Sequence, residues 1–178
     1  MRILMLVMLG LLQSAPQDVF LSRCDLQGVY DEVAQATLAS RTAKDIDMFH
    51  DVFYTPGWVF IDGEGNRHTW NELRAPTIDA AANQSFTIMR QAIQEITLIP
   101  DGATALINFI TIRDVVDNDG KYGPIGASHR LAEVTAMRDT WIKTAISWKL
   151  QVREQLGGTR VFVDKEPPDI ERPRCPTT

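Results

Sequence analysis

Two aspartates are the side chains best placed by type to move a proton. Asp139 lies in Met137-Arg138-Asp139-Thr140-Trp141, a stretch that alternates as a strand does, so Met137, Asp139 and Trp141 share one face and Arg138 and Thr140 the other. A carboxylate on an inner face beside Trp141 would be desolvated, with a raised pKa suited to acid or base work; the alternative is a pairing with an arginine that fixes the hairpin. Asp62 follows Trp58-Val59-Phe60-Ile61 and precedes Gly63. Asp-Gly after a strand is favoured turn chemistry, the carboxylate accepting from the backbone N–H groups that follow. His129 and Arg138 are further polar candidates for a cavity wall, although Arg138 and Asp139 cannot both point inward without a bulge. Trp58, Trp141 and Trp148 suit a core better than a ligand platform. Cys24, Cys175, His50, His68 and His129 are scattered and show none of the short spacings that zinc sites use, so no metal is expected.

The elements that must position these residues follow from periodicity. Leu26, Val29, Tyr30, Val33 and Leu38, then Ile46, Met48, Phe49, Val52 and Phe53, recur three and four apart. They predict two helices with a break between Thr42 and Asp45, where Asp45 caps the second. Tyr54-Thr55-Pro56-Gly57 reads as a turn, Trp58 to Ile61 as a short strand and Asp62 to Asn66 as a second turn. Thr69-Trp70-Asn71-Glu72 has the spacing of a capping box, opening a helix that stops around Pro76 or continues weakly through the alanines. Four long β-type segments follow, Phe86–Leu98, Ala103–Val115, Ser128–Lys143 and Ser147–Gln155. Their short connections predict an antiparallel meander, and helices followed by such a sheet are the α+β pattern. The glycine-rich connection from Asp117 to Ala127 is long enough to form a flap. A further short strand is expected at Arg160–Val163.

Three motifs carry a resemblance. Asp45-Ile46-Asp47 through Phe53, Trp58-Val59-Phe60-Ile61-Asp62-Gly63, and Arg138-Asp139-Thr140-Trp141 followed by Trp148-Lys149-Leu150 resemble, in that order, parts of the NTF2-like superfamily. The likeness is to its SnoaL-like and DUF4440 branch, which includes the ketosteroid isomerases, and it runs from about Tyr30 to Leu156. It implies an α+β cone in which N-terminal helices pack on a strongly curved antiparallel sheet, leaving a conical pocket for a small apolar molecule. Tyr54, Trp58, Phe60, His129, Arg138 and Trp141 become its candidate lining. In the isomerase relatives a carboxylate after the first strand removes a proton beside a carbonyl without a cofactor; Asp62 matches that position, and Asp139 is the second candidate. Counting along the first helix places Thr37 where those relatives carry a phenol, with Tyr30 about two turns away. Three functions follow as expectations: a binding domain for a small apolar ligand, a cofactor-independent isomerase, dehydratase or cyclase, and a homodimerising interaction domain.

Composition bounds the partners. A chain of 178 residues, 44% hydrophobic and 23% charged, is long enough for one domain with its own core. A net charge of -5 offers no basic face for nucleic acid. Arg2 precedes the apolar run Ile3 to Leu12, and Gln13, Ser14 and Ala15 follow it. This is the layout of a secretory signal, too short to span a bilayer, so residues 1–15 are expected to direct export to a secreted or periplasmic location, with no membrane insertion after removal. Residues 25–156 are read as the domain and residues 157–178 as a flexible, proline-rich tail unless Cys175 is tied down. Export would let Cys24 and Cys175 pair, and two free thiols are the alternative.

Overall fold

The computed structural model describes residues 14–83, 86–172, 174 and 175; the apolar run read as an export signal lies outside them. Helix α1 (Ser14–Ala39) and helix α2 (Ala43–Phe53) lead into β1 (Tyr54–Ile61), β2 (Arg67–Thr69) and helix α3 (Trp70–Asn83). Strands β3 (Phe86–Ile99), β4 (Gly102–Val116), β5 (Ser128–Lys143), β6 (Trp148–Gln155) and β7 (Arg160–Val163) follow. The sheet runs β2-β1-β6-β5-β4-β3, with β7 also pairing β5. All pairings are antiparallel except β1 with β6, which is parallel. The parallel contact was not foreseen. It is reached because the long excursion from β1 through α3, β3, β4 and β5 supplies the crossover that parallel neighbours require.

Helix α1 lays Leu26, Tyr30, Val33 and Ala34, all buried, against the sheet, and its main partner is β3. The contact is also polar. Gln27 donates through Nε2 to the Gln91 carbonyl at 2.7 Å and accepts at Oε1 from the Ile93 N–H at 3.0 Å. Strand β3 ends the sheet order, so one side chain pairs with backbone groups along a strand edge that no neighbouring strand covers. Thr42, the N-cap of α2, accepts from the Asp45 N–H, and the Asp45 carboxylate accepts from the Thr42 N–H. Asp45 therefore serves as the third residue of a capping box rather than as the cap itself.

Several local readings change. Tyr54-Thr55-Pro56-Gly57 is the first half of β1, not a turn, with a register irregularity between Tyr54 and Val59; Pro56 is tolerated where the ladder is already interrupted. Strand β2 is an addition, three residues paired to the end of β1. Helix α3 passes through Pro76 to Asn83. Pro76 is exposed, so water reaches the carbonyl that loses its helical partner. Segment 157–172 is not a free tail. Strand β7 pairs residues 131–134 of β5, and Phe162 and Ile170 pack on Ile110, Ile112, Ala132 and Val134. Those four residues occupy the sheet face opposite Ile107 and Met137, so both faces of β4 and β5 are apolar and the segment covers the second. Cys175 is joined to Cys24 with a Cα separation of 5.5 Å.

The connection from β4 to β5 is organised by Asp117, which is 2% exposed. Its carboxylate accepts from the backbone N–H groups of Lys121, Tyr122 and Gly123 at 2.8–3.0 Å. Burial alone would raise its pKa, but these donors, Tyr122 foremost, outweigh burial and hold it at about 2 rather than 3.8. A carboxyl depressed in the folded state contributes stability that is complete above its unfolded pKa of about 3.9 and is lost as pH falls through the folded value. Protection of the Lys121, Tyr122 and Gly123 amides, relative to their intrinsic exchange rates, should therefore be lost between about pH 4 and pH 2, and in Asp117→Ala it should already be lost at neutral pH; unchanged protection in that variant would refute the anchoring role.

Candidate functional site

At the centre of the sheet's inner face is a closed chain of polar groups. Asp139, fully buried, receives Arg153 through Nε at 2.9 Å and Nη2 at 2.6 Å, and the Tyr30 hydroxyl at 2.8 Å. Tyr30 in turn accepts from Trp141 Nε1 at 2.7 Å, while Arg153 Nη2 also donates to Gln91 Oε1 at 2.7 Å. The Tyr30 and Trp141 rings meet edge to face at 5.1 Å, a favoured geometry for aromatic pairs. Burial and then the negative charge of Asp139 push the Tyr30 phenol well above its ordinary pKa, so it stays neutral. Burial also raises Tyr54, with Asp139 adding to it. For Arg153, burial works against the charge, but the Asp139 charge and hydrogen bonds prevail and raise its pKa. Both carboxylate oxygens of Asp139 are thus engaged by a bidentate guanidinium and a phenol, the geometry of a strong structural pair.

Asp62 has the other role expected of it. Its Oδ1 accepts from the Glu64 and Asn66 N–H groups, each at 2.9 Å, and its Oδ2 from Asn66 Nδ2 at 3.0 Å. His68 Nε2 lies 3.0 Å from the same oxygen. The His68 contact first, then Asn66, hold this carboxyl far below the usual carboxylate range. Such a group is a weak base.

The remaining candidates separate into two groups. Trp58 and Trp141 are buried in one apolar cluster against which Tyr54 and Phe60 pack. Arg138 is on the outer face, paired to Glu154 at 3.0 Å, as alternation requires. His129 is at the flap: Nδ1 lies 2.7 Å from Asp164 Oδ2, and a Cβ on Gly123 would come within 2.9 Å of its Nε2. On α1, Thr37 donates back to the Val33 carbonyl, while the Tyr30 phenol is buried against Asp139.

None of the cavities described below reaches Asp139, Arg153 or Tyr30. One of about 620 Å³ lies between β3–β4 and segment 166–172. Another, of about 480 Å³, is walled by His50, Asp51, Tyr54, Thr55, Pro56, Ile142, Thr144 and Lys149. This cavity lies at the start of β1, beside the ends of β5 and β6 that meet at their connecting turn. Sequence reasoning had not singled out His50 or Thr55. His50 is stacked between Trp70 at 4.2 Å and Tyr54 at 5.2 Å, and burial, only partly offset by Asp51, lowers its pKa so that the neutral imidazole prevails at pH 7. His50 Nε2 and Thr55 Oγ1 are buried polar atoms with no partner among the described residues. Buried polar groups are nearly always bonded, so two orphans bordering one cavity mark a place where a ligand could supply the missing partner.

No protein-family model matches the chain, and no curated protein matches its sequence. Solved structures do resemble it. The Kfla4162 protein from Kribbella flavida superposes with a TM-score of 0.52 at 14% identity, over 82% of this chain and 95% of that one. A nuclear transport factor 2 (NTF2-like) superfamily protein from Salmonella enterica superposes with a TM-score of 0.49 at 12% identity, over 80% of this chain and 92% of that one. At these identities the likeness to the Kribbella protein is one of fold alone: helices packed on a largely antiparallel α+β sheet.

Proposed function

We propose that this chain is an exported small-molecule-binding domain, and that its ligand is a mainly apolar molecule carrying a polar group that bonds to His50 and Thr55. The observation that carries the reading is the pair of unpartnered buried atoms, His50 Nε2 and Thr55 Oγ1, on residues bordering a cavity of about 480 Å³. That volume suits a small ligand, with Tyr54, Pro56 and Ile142 supplying apolar wall beside the polar groups. Stacking between Tyr54 and Trp70 holds the imidazole in place before any ligand arrives, which lowers the ordering cost of binding. Export is supported by the Arg2 to Ala15 pattern and by the Cys24–Cys175 bridge, since disulfides persist in oxidising compartments.

Binding is favoured over the isomerase reading because neither expected base is available. Asp139 has both oxygens occupied by Arg153 and Tyr30, and Asp62 is held ionised by its turn. Native mass spectrometry of protein purified from its own source tests the proposal. A retained molecule is expected, displaced when Ile142→Trp fills the cavity and bound about tenfold more weakly in Thr55→Val or His50→Phe, the loss of one hydrogen bond each. A ligand-free spectrum for the unaltered protein under gentle conditions would overturn it.

A further inference from the structure

The bridge between Cys24 and Cys175 does more than join two ends. Each cysteine is preceded in sequence by an arginine, Arg23 and Arg174, and pinning the cysteines together brings both guanidinium-bearing side chains to one cavity. That cavity, of about 340 Å³, is lined by Arg23, Gln94, Glu171, Arg172 and Arg174. Of its three cations, Arg172 is paired with Asp31. Arg174 has no acidic partner among the described residues. Arg23 is fixed rather than mobile: its Nη2 donates to the Ile93 carbonyl at 2.8 Å and the Gln94 carbonyl at 3.2 Å, while its Nε is buried without a partner. Glu171 is the single carboxylate in the wall. Arg23 and Arg174 against Glu171, with Arg172 and Asp31 neutralising each other, leave one positive charge in a chain whose net charge is -5.

We infer that this cavity is an anion site for a phosphate group, assembled only when the disulfide is closed. Guanidinium groups suit such a ligand because their fork of N–H donors matches pairs of phosphate oxygens. A phosphate here would offer an acceptor to Arg23 Nε and would relieve the repulsion among neighbouring guanidinium groups. Closing the bridge makes Arg174 a local rather than a distant partner of Arg23, which raises its effective concentration at the site. The inference is independent of the apolar cavity beside His50.

Isothermal titration with inorganic phosphate, against sodium chloride at matched ionic strength, tests it on the full chain. The oxidised protein should bind one phosphate with a dissociation constant of about a millimolar or tighter. Arg174→Gln, an exposed residue whose loss leaves the fold intact, should weaken binding about tenfold. Cys24→Ser/Cys175→Ser should weaken it to a similar degree, with circular dichroism reporting that the fold persists. Sedimentation with phosphatidylcholine vesicles containing phosphatidic acid distinguishes a lipid phosphate from a free one; either source supports the site provided Arg174→Gln weakens it. Phosphate heats no larger than those of chloride, or an unaltered affinity in Arg174→Gln or in the double serine variant, would overturn it.

Discussion

Arg153→Met should lower the stability of the protein by about 3–5 kcal/mol, the cost of leaving a buried carboxylate without its counter-charge. Asp139 is fully buried and the Arg153 side chain is only 11% exposed, so water cannot take over the lost contacts. For a chain of this length the change corresponds to a fall in Tm of roughly 10 °C. Asp139→Leu alone should be comparably harmful because it strands the guanidinium. Asp139→Leu/Arg153→Met should recover much of the loss, since a buried pair replaced by apolar groups of similar volume is often neutral. Tyr30→Phe, which removes one of three bonds to Asp139 and the acceptor of Trp141 Nε1, should cost about 1–2 kcal/mol. Urea denaturation of the four variants gives the cycle. Additive losses would show that Asp139 and Arg153 do not act as a unit.

The second large effect is that of the covalent tie. Cys24→Ser/Cys175→Ser opens a loop with a sequence separation of 151 residues. In the chain-entropy view, releasing so long a loop in the unfolded state costs about 5 kcal/mol, and natural bridges range around 2–5 kcal/mol. Segment 164–175 should then loosen first. Amide exchange is expected to rise around Ile170 before it rises in β7, which keeps its pairing with β5. A double variant as stable as the unaltered protein would show that the paired strand and Ile170 alone hold the segment.

How far these features were legible in the sequence differs with their range. The bounds of β5 and β7, the break before α2 and the turn around Asp62 depend on residues within a few positions of each other, and local propensity and hydrogen bonding read them directly. The alternation that puts Asp139 beside Trp141 and away from Arg138 was equally local. Arg153 was not visible as the partner of Asp139. The turn at Ala145 and Ile146 implies the register seen at Trp141↔Leu150 and Ile142↔Lys149, which would place Val152 opposite Asp139. A register shift between Thr140 and Trp141 brings Arg153 there instead, and a bulge of one residue reverses which side chains face inward. Tyr30 was legible as a core-facing helix position, but not as the donor to Asp139, which lies 109 positions away.

By itself the chain's order of residues determined the α+β class, the placing of most helices and strands, and the alternation of faces within each uninterrupted strand, because periods of 3.6 and 2 are properties of neighbouring residues. Only the tertiary structure decided what meets across the core and around the rim: Asp139 with Arg153 and Tyr30, His50 between Tyr54 and Trp70, and Arg23 beside Arg174. Apart from the local stack of His50 on Tyr54, those contacts join residues 20 to 151 positions apart or follow a bulge, and packing of the whole sheet selects them.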